Sequence, residues 1–160
     1  MIININGWPG AGKLSVARQL VRRIGGRLLD NHTIYDVAFS LCEFGTPEFY
    51  ETVQAVRDAA FTRIAALAAD LPVTLTSAYA DTPFGRENWT AIRKIADMRG
   101  SPLFVVVLDC SLSENFRRLQ TQERARSKKL VDPAPLIALA NPTAFSKPTE
   151  ITRFDLTPQN

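Results

Sequence analysis

A strand-like run that ends in a glycine loop and passes directly into a helical stripe limits this chain to few folds. Ile2-Ile3-Asn4-Ile5-Asn6 is short, β-branched and stopped by Gly7. Apolar residues then recur at Val16, Ala17, Leu20, Val21 and Ile24, the spacing of one helix face, with Gly25-Gly26 past its end. Between strand and helix lies Gly7-Trp8-Pro9-Gly10-Ala11-Gly12-Lys13, which fits GxxxxGK in the context that gives the pattern its meaning. Glycines let successive backbone N–H groups turn inward at phosphate oxygens, and the start of the helix adds its positive dipole end. Lys13 supplies a mobile positive charge for terminal phosphates. A dinucleotide fold is the rival, because Asp30 stands about where the ribose-binding acid of that fold does. Gly7, Gly10 and Gly12 do not spell GxGxxG, however, and a lysine directly after the last glycine belongs to the phosphate loop.

The rest of the chain keeps alternating. Arg27-Leu28-Leu29-Asp30 reads as a second strand, followed by a polar break at Asn31-His32-Thr33 and helices over 34–42 and 47–69. A third strand covers 72–77, a loop runs through Asp81, Thr82, Pro83 and Gly85, and a helix covers 88–98. Leu103 to Leu108 is an almost continuous apolar strand ending at Asp109, as expected where helices cover both faces of a parallel sheet. The segment 113–125 is helical in pattern, and 151–156 reads as a last strand. The expectation is a three-layer α/β/α sandwich around a mostly parallel five-stranded sheet, in a single domain over 1–160. Ligands of such sheets bind beyond the carboxyl ends of the strands, so the loops after Asn6, Asp30, Ser77 and Asp109 should converge.

Composition removes several alternatives. Apolar residues make up 46% and charged residues 22%, ordinary for a packed domain and far from disorder. Cys42 and Cys110 are too few for a secreted disulfide framework and too widely spaced for a metal knuckle, which fits a reducing cytoplasm. No apolar run reaches the ~18 residues of a membrane span, and the N-terminus lacks signal-peptide design. A net charge of +3 is compatible with an anionic ligand but does not single out nucleic acid as a partner.

One position departs from the phosphate-loop pattern. The residue after Lys13 is ordinarily Ser or Thr, whose hydroxyl coordinates magnesium; here it is Leu14. Ser15 comes next, but one step turns a side chain ~100° around the helix, so either the helix start shifts to make Ser15 the metal ligand, or magnesium is held by water and by acids from neighbouring loops.

With Gly-Trp-Pro-Gly-Ala-Gly-Lys-Leu-Ser near its start, the sequence resembles the P-loop kinases of small metabolites, the group of shikimate, gluconate and adenylyl-sulfate kinases and chloramphenicol phosphotransferase. It looks most like the branch in which leucine follows the lysine. The resemblance implies ATP and Mg2+ as cofactors, with the loop from Gly7 to Ser15 as nucleotide site and Lys13 among the catalytic groups. It implies that Asp30, at the end of the second strand, orients or deprotonates the acceptor hydroxyl, and that Arg57 holds an acidic acceptor. His32, Asp81 and Arg86 fall where acceptor contacts are expected. The basic run from Arg117 to Lys129 resembles a mobile lid over about 117–132, in which Arg124 and Arg126 would close on the transferring phosphoryl group. Asp109 is expected to cap the next helix, and Cys110 to be a buried small apolar residue. The family's closing helix has no counterpart after Asp155-Leu156-Thr157-Pro158-Gln159-Asn160, and a second subunit could cover the apolar edge so exposed.

The reading is therefore an ATP-dependent phosphotransferase that moves the γ-phosphoryl group to a hydroxyl of a small metabolite. Its alternatives are a nucleotide-binding P-loop protein without efficient transfer, for which Leu14 is the sign, and a nucleotide or nucleic-acid end kinase using the basic run as a phosphate track.

Overall fold

The computed structural model describes residues 1–79, 82–120 and 152–155. In chain order the elements are β1 (Ile2–Gly7), α1 (Lys13–Ile24), β2 (Arg27–Leu29), α2 (Asn31–Leu41), α3 (Pro47–Ala65), β3 (Val73–Ser77), α4 (Pro83–Met98), β4 (Leu103–Asp109), α5 (Leu112–Leu119) and β5 (Thr152–Asp155). The strands form one sheet in the order β2-β3-β1-β4-β5, and every neighbouring pair is parallel. β1 is the central strand, with Ile2 in register with Val73 on one side and Leu103 on the other.

Alternation along β1 sends its side chains to two different cores. Ile3 and Ile5 pack with Ala11, Ala17 and Leu108 beneath α1. Ile2 joins Val73 and Leu75 against Phe61 and Ile64 of α3 and Ile92, Ile95 and Ala96 of α4. A third cluster, Ile34 and Ala38 with Phe49 and Val53, fastens α2 to α3. Each large aliphatic or aromatic side chain among them, taken from water, contributes roughly 1.5–3 kcal/mol, so both faces of the sheet must be covered, and the three-layer arrangement follows.

Helix starts explain where the expected boundaries move. Thr82 caps α4 by accepting from Gly85 N at 3.0 Å, with Pro83 at the first helical position, so the stretch expected as a loop through Pro83 and Gly85 is the first turn of a helix. Asp30 is the N-cap of α2, which makes Asn31-His32-Thr33 a first helical turn rather than a break. α3, capped by Thr46 through Phe49 N, ends at Ala65 instead of reaching 69. Asp109 does not cap α5: its Oδ1 accepts from Cys110 N at 2.9 Å, and Ser111 is the cap, accepting from Glu114 N at 3.3 Å. Cys110 is half-buried rather than buried. No helix among the described residues is long and apolar enough to cross a membrane.

Candidate active site

Because the strands are parallel, β1, β2, β3 and β4 all deliver their following residues to one edge of the sheet. The loop between β1 and α1 stands at the middle of that edge. Its start is set by a close approach: a Cβ at Gly7 would lie 2.4 Å from the carbonyl oxygen of Leu108 in the neighbouring β4, a contact no side chain survives. Gly10 and Gly12 take φ of 93° and 90°, in the left-handed region that glycine enters without strain. Ala11 N donates to the Trp8 carbonyl at 3.1 Å and closes the turn over the buried Ala11 methyl. Gly12 is the N-cap of α1 and has no side chain to cap it, so the positive end of that helix faces the loop.

Lys13 curls back over this turn. Its Nζ donates to the carbonyls of Gly7 at 2.7 Å and Trp8 at 2.8 Å. From outside, Asn115 of α5 holds the crest, its Nδ2 donating to the Pro9 carbonyl at 2.9 Å. The helix begins at Lys13, so Leu14 and Ser15 are its second and third residues. Leu14 is half-buried and Ser15 exposed, with no shift of the helix start that would bring Ser15 into the place of the missing hydroxyl. Among the described residues, no group of three or more His, Cys, Asp or Glu side chains could hold a metal ion. At the position after Lys13 the helix thus presents Leu14 where the pattern places a metal-ligating hydroxyl.

Two strands away, Asp30 is aimed by a single hydroxyl. Thr76 Oγ1 of β3 donates to Asp30 Oδ1 at 2.5 Å and accepts from Asn31 N at 2.9 Å. One threonine thus fixes both the carboxylate and the first amide of α2. Between Asp30 and the loop, β1 and β3 are tied by polar side chains: Ser77 Oγ lies 3.1 Å from Oδ1 of both Asn4 and Asn6. Asn6 also accepts from Tyr79 N at 3.0 Å and donates to its carbonyl at 3.3 Å. Thr76, Asn115 and this ladder were not singled out from the sequence. Asn4 and Asn6, polar residues alternating with isoleucine in a buried strand, were the available signal.

Arg57 of α3 is not a solvated charge: it is only 1% exposed. Its guanidinium donates to Gln54 Oε1 and lies 5.8 Å from the centre of the Phe84 ring, while Nε has no partner among the described residues. Tyr35 and Tyr79 are its titratable neighbours. Burial pushes the Tyr35 phenol up to about 12 and Tyr79 further still, so both stay neutral, and the Asp58 carboxylate reaches the guanidinium only through Gln54, whose Nε2 donates to that carboxylate at 3.2 and 3.3 Å.

The remaining expected site residues are more dispersed. His32, in the first turn of α2, has Nδ1 3.6 Å from Asp36 Oδ1, an i,i+4 pair along its own helix. Arg86 is exposed in the first turn of α4. Asp81, Arg124 and Arg126, with most of the expected lid, lie outside the described residues. Arg117 and Arg118, at the lid's expected start, both bind Glu114 of their own helix, at 2.8 and 2.6 Å.

The chain matches the family described as AAA domain over residues 2–139. Comparison with curated proteins gives no match. Among solved structures, it is similar to a kinase-like protein of Chloroflexus aurantiacus J-10-fl (TM-score 0.70, 14% identity, 96% of this chain and 84% of that one). It is also similar to the APS kinase of Mycobacterium tuberculosis in complex with AMPPNP and APS (TM-score 0.58, 20% identity, 99% and 88%). A gluconokinase of Sinorhizobium meliloti 1021 gives a TM-score of 0.58 at 18% identity, covering 96% and 81%. Identities this low speak for a shared fold.

Proposed function

This chain belongs to the AAA domain family, and from that premise we propose that it is an ATP-dependent phosphotransferase acting on a hydroxyl of a small metabolite. The observation that carries the proposal is the turn from Gly7 to Lys13, built as a phosphate cradle on the same sheet edge as an oriented carboxylate, Asp30. In the proposed reaction, the acceptor O–H gives its proton to Asp30 as its oxygen attacks the γ-phosphorus. The new O–P bond forms while the bridging β–γ P–O bond breaks, leaving its electrons on the β-phosphate of ADP. Lys13 leaves its carbonyl partners for the terminal phosphates, and the loop amides and α1 dipole hold the charge. The buried guanidinium of Arg57 supports an acidic acceptor, since a carboxylate would occupy its unpartnered Nε directly. His32, Asp81 and Arg86 remain proposed acceptor contacts, and Arg124 and Arg126 proposed lid groups, within one domain. Mg2+ is proposed to accompany ATP, and each step above is assigned to residues of this chain alone.

Conversion of ATP to ADP, followed with a panel of small hydroxy acids and polyols, tests this reading. Lys13→Ala should lose most nucleotide affinity and keep its fold. Asp30→Asn should keep that affinity and lose transfer. Equal ATP binding by wild type and the Lys13 variant would defeat the proposal. One observation favours a second reading, nucleotide binding without efficient transfer: Leu14 occupies the helical position where the metal-ligating hydroxyl is needed. Binding of ADP without turnover on any acceptor would decide for it.

A further inference from the structure

Asn115 sits 106 residues from Pro9 in sequence, yet it meets the phosphate loop from outside. Its Nδ2 donates to the Pro9 carbonyl at 2.9 Å and lies 3.6 Å from Cys110 Sγ. Those two acceptors engage both protons of the amide and settle which way it faces. The side chain belongs to a residue 3% exposed, and its Oδ1 is buried with no partner among the described residues, an arrangement that by itself lowers stability. A leucine of similar shape would remove that cost, at the loss of the donor to the Pro9 carbonyl.

Its footing is firm. Asn115 N donates to the Ser111 carbonyl at 2.9 Å, in the first turn of a helix that Ser111 caps. That helix leaves β4, the strand whose Leu108 is in register with Gly7 at the start of the loop. Clamp and loop therefore rise from one pair of neighbouring strands. The loop is shaped to receive the clamp: a Cβ on Gly10 would lie 3.1 Å from Asn115 Nδ2 and 3.4 Å from its Cγ. The amide is also uncharged, so it can hold a carbonyl without competing for a polyphosphate as Lys13 does.

We propose that Asn115 is a positioning residue for phosphate binding, fixing the Pro9-Gly10 crest in the curvature at which the loop amides converge. The proposal rests on the phosphate-loop reading above. It is tested by calorimetric titration of ADP and of inorganic tripolyphosphate into wild type, Asn115→Leu, Asn115→Asp and Lys13→Ala, with the ligand-free Tm of each measured in parallel. Asn115→Leu should weaken ADP by about tenfold, the loss of one hydrogen bond's worth of organisation, while its ligand-free Tm stays level, the relief of the buried Oδ1 offsetting the lost bond to Pro9. Asn115→Asp, which sets a negative oxygen against the Pro9 carbonyl, should weaken both ligands at least as much. A merely structural asparagine would show the reverse, a lowered Tm with unchanged affinity, and that result overturns the proposal. Failure of wild type to bind either ligand overturns the phosphate-loop reading itself, and this inference with it. Should neither variant fold, the wild type decides: the Asn115 side-chain amide protons should resist solvent exchange, more so with ADP bound, and their free exchange overturns the proposal.

Discussion

Arg57 is a cation kept almost wholly out of water, its nearest carboxylate, Asp58, reached only through the amide of Gln54. Burying a charge is costly when nothing compensates it, and a glutamine carbonyl and an aromatic face compensate only in part. Replacement by an apolar residue of similar volume should relieve the cost. Arg57→Met is expected to stabilise the ligand-free protein by about 1 kcal/mol in urea denaturation, and a clear loss of stability would mean that the guanidinium is already neutralised. The same variant should abolish response to acidic acceptors. Asp30 offers the opposite case, a carboxylate whose aim depends on one donor. Thr76→Val keeps the shape and removes the hydroxyl, so turnover should fall by about tenfold or more with ATP affinity unchanged; full activity would show that Asp30 needs no such support. Asp30 was legible as a candidate from its place after a strand, whereas Thr76, 46 residues away, was not. A hydroxyl that reaches across strands leaves no periodic trace in the sequence.

Short helices live by their ends, and α5 is eight residues long. Ser111 caps it, and Glu114 in its first turn takes hydrogen bonds from Arg117 and Arg118. Those bonds pull the Glu114 carboxyl from its ordinary 4.5 to about 2. A carboxyl depressed in the folded state stabilises it above the unfolded value, and the contribution disappears as pH falls through the folded one. Glu114→Gln should therefore be less heat-stable than wild type at about pH 5.5 and nearly equal to it close to pH 2, as read by circular dichroism melts. A gap that persists undiminished at the acid end would assign the helix's stability elsewhere. Other element boundaries show why local reading strays. Thr82-Pro83 is a helix-start signal that was read as a loop because the apolar stripe of α4 becomes evident only further on. Where stripe and loop adjoin, as from β1 into α1, sequence and structure agree to within two residues.

At the scale of the molecule, a ligand that binds only the folded chain stabilises all of it. ADP at 100 times its dissociation constant should add about 2.7 kcal/mol and raise Tm in proportion to the logarithm of its concentration. Lys13→Ala should flatten that dependence; a thermal-shift titration giving the same slope for both proteins would remove the loop from nucleotide binding. The layered sheet was readable in advance because parallel strands buried on both faces are written as apolar runs between helical stripes. The surroundings of Asp30 were not, since they are assembled from side chains on β2, β3, α2 and α3 that meet only after folding. The strand order adds one consequence. The cradle rises from the innermost strand, braced by two others on each flank, whereas Asp30 follows a three-residue strand at the border, with a neighbour on one side only. If the proposed activity holds, substitutions along that outer border could change the acceptor taken while the innermost strand keeps its grip on the donor.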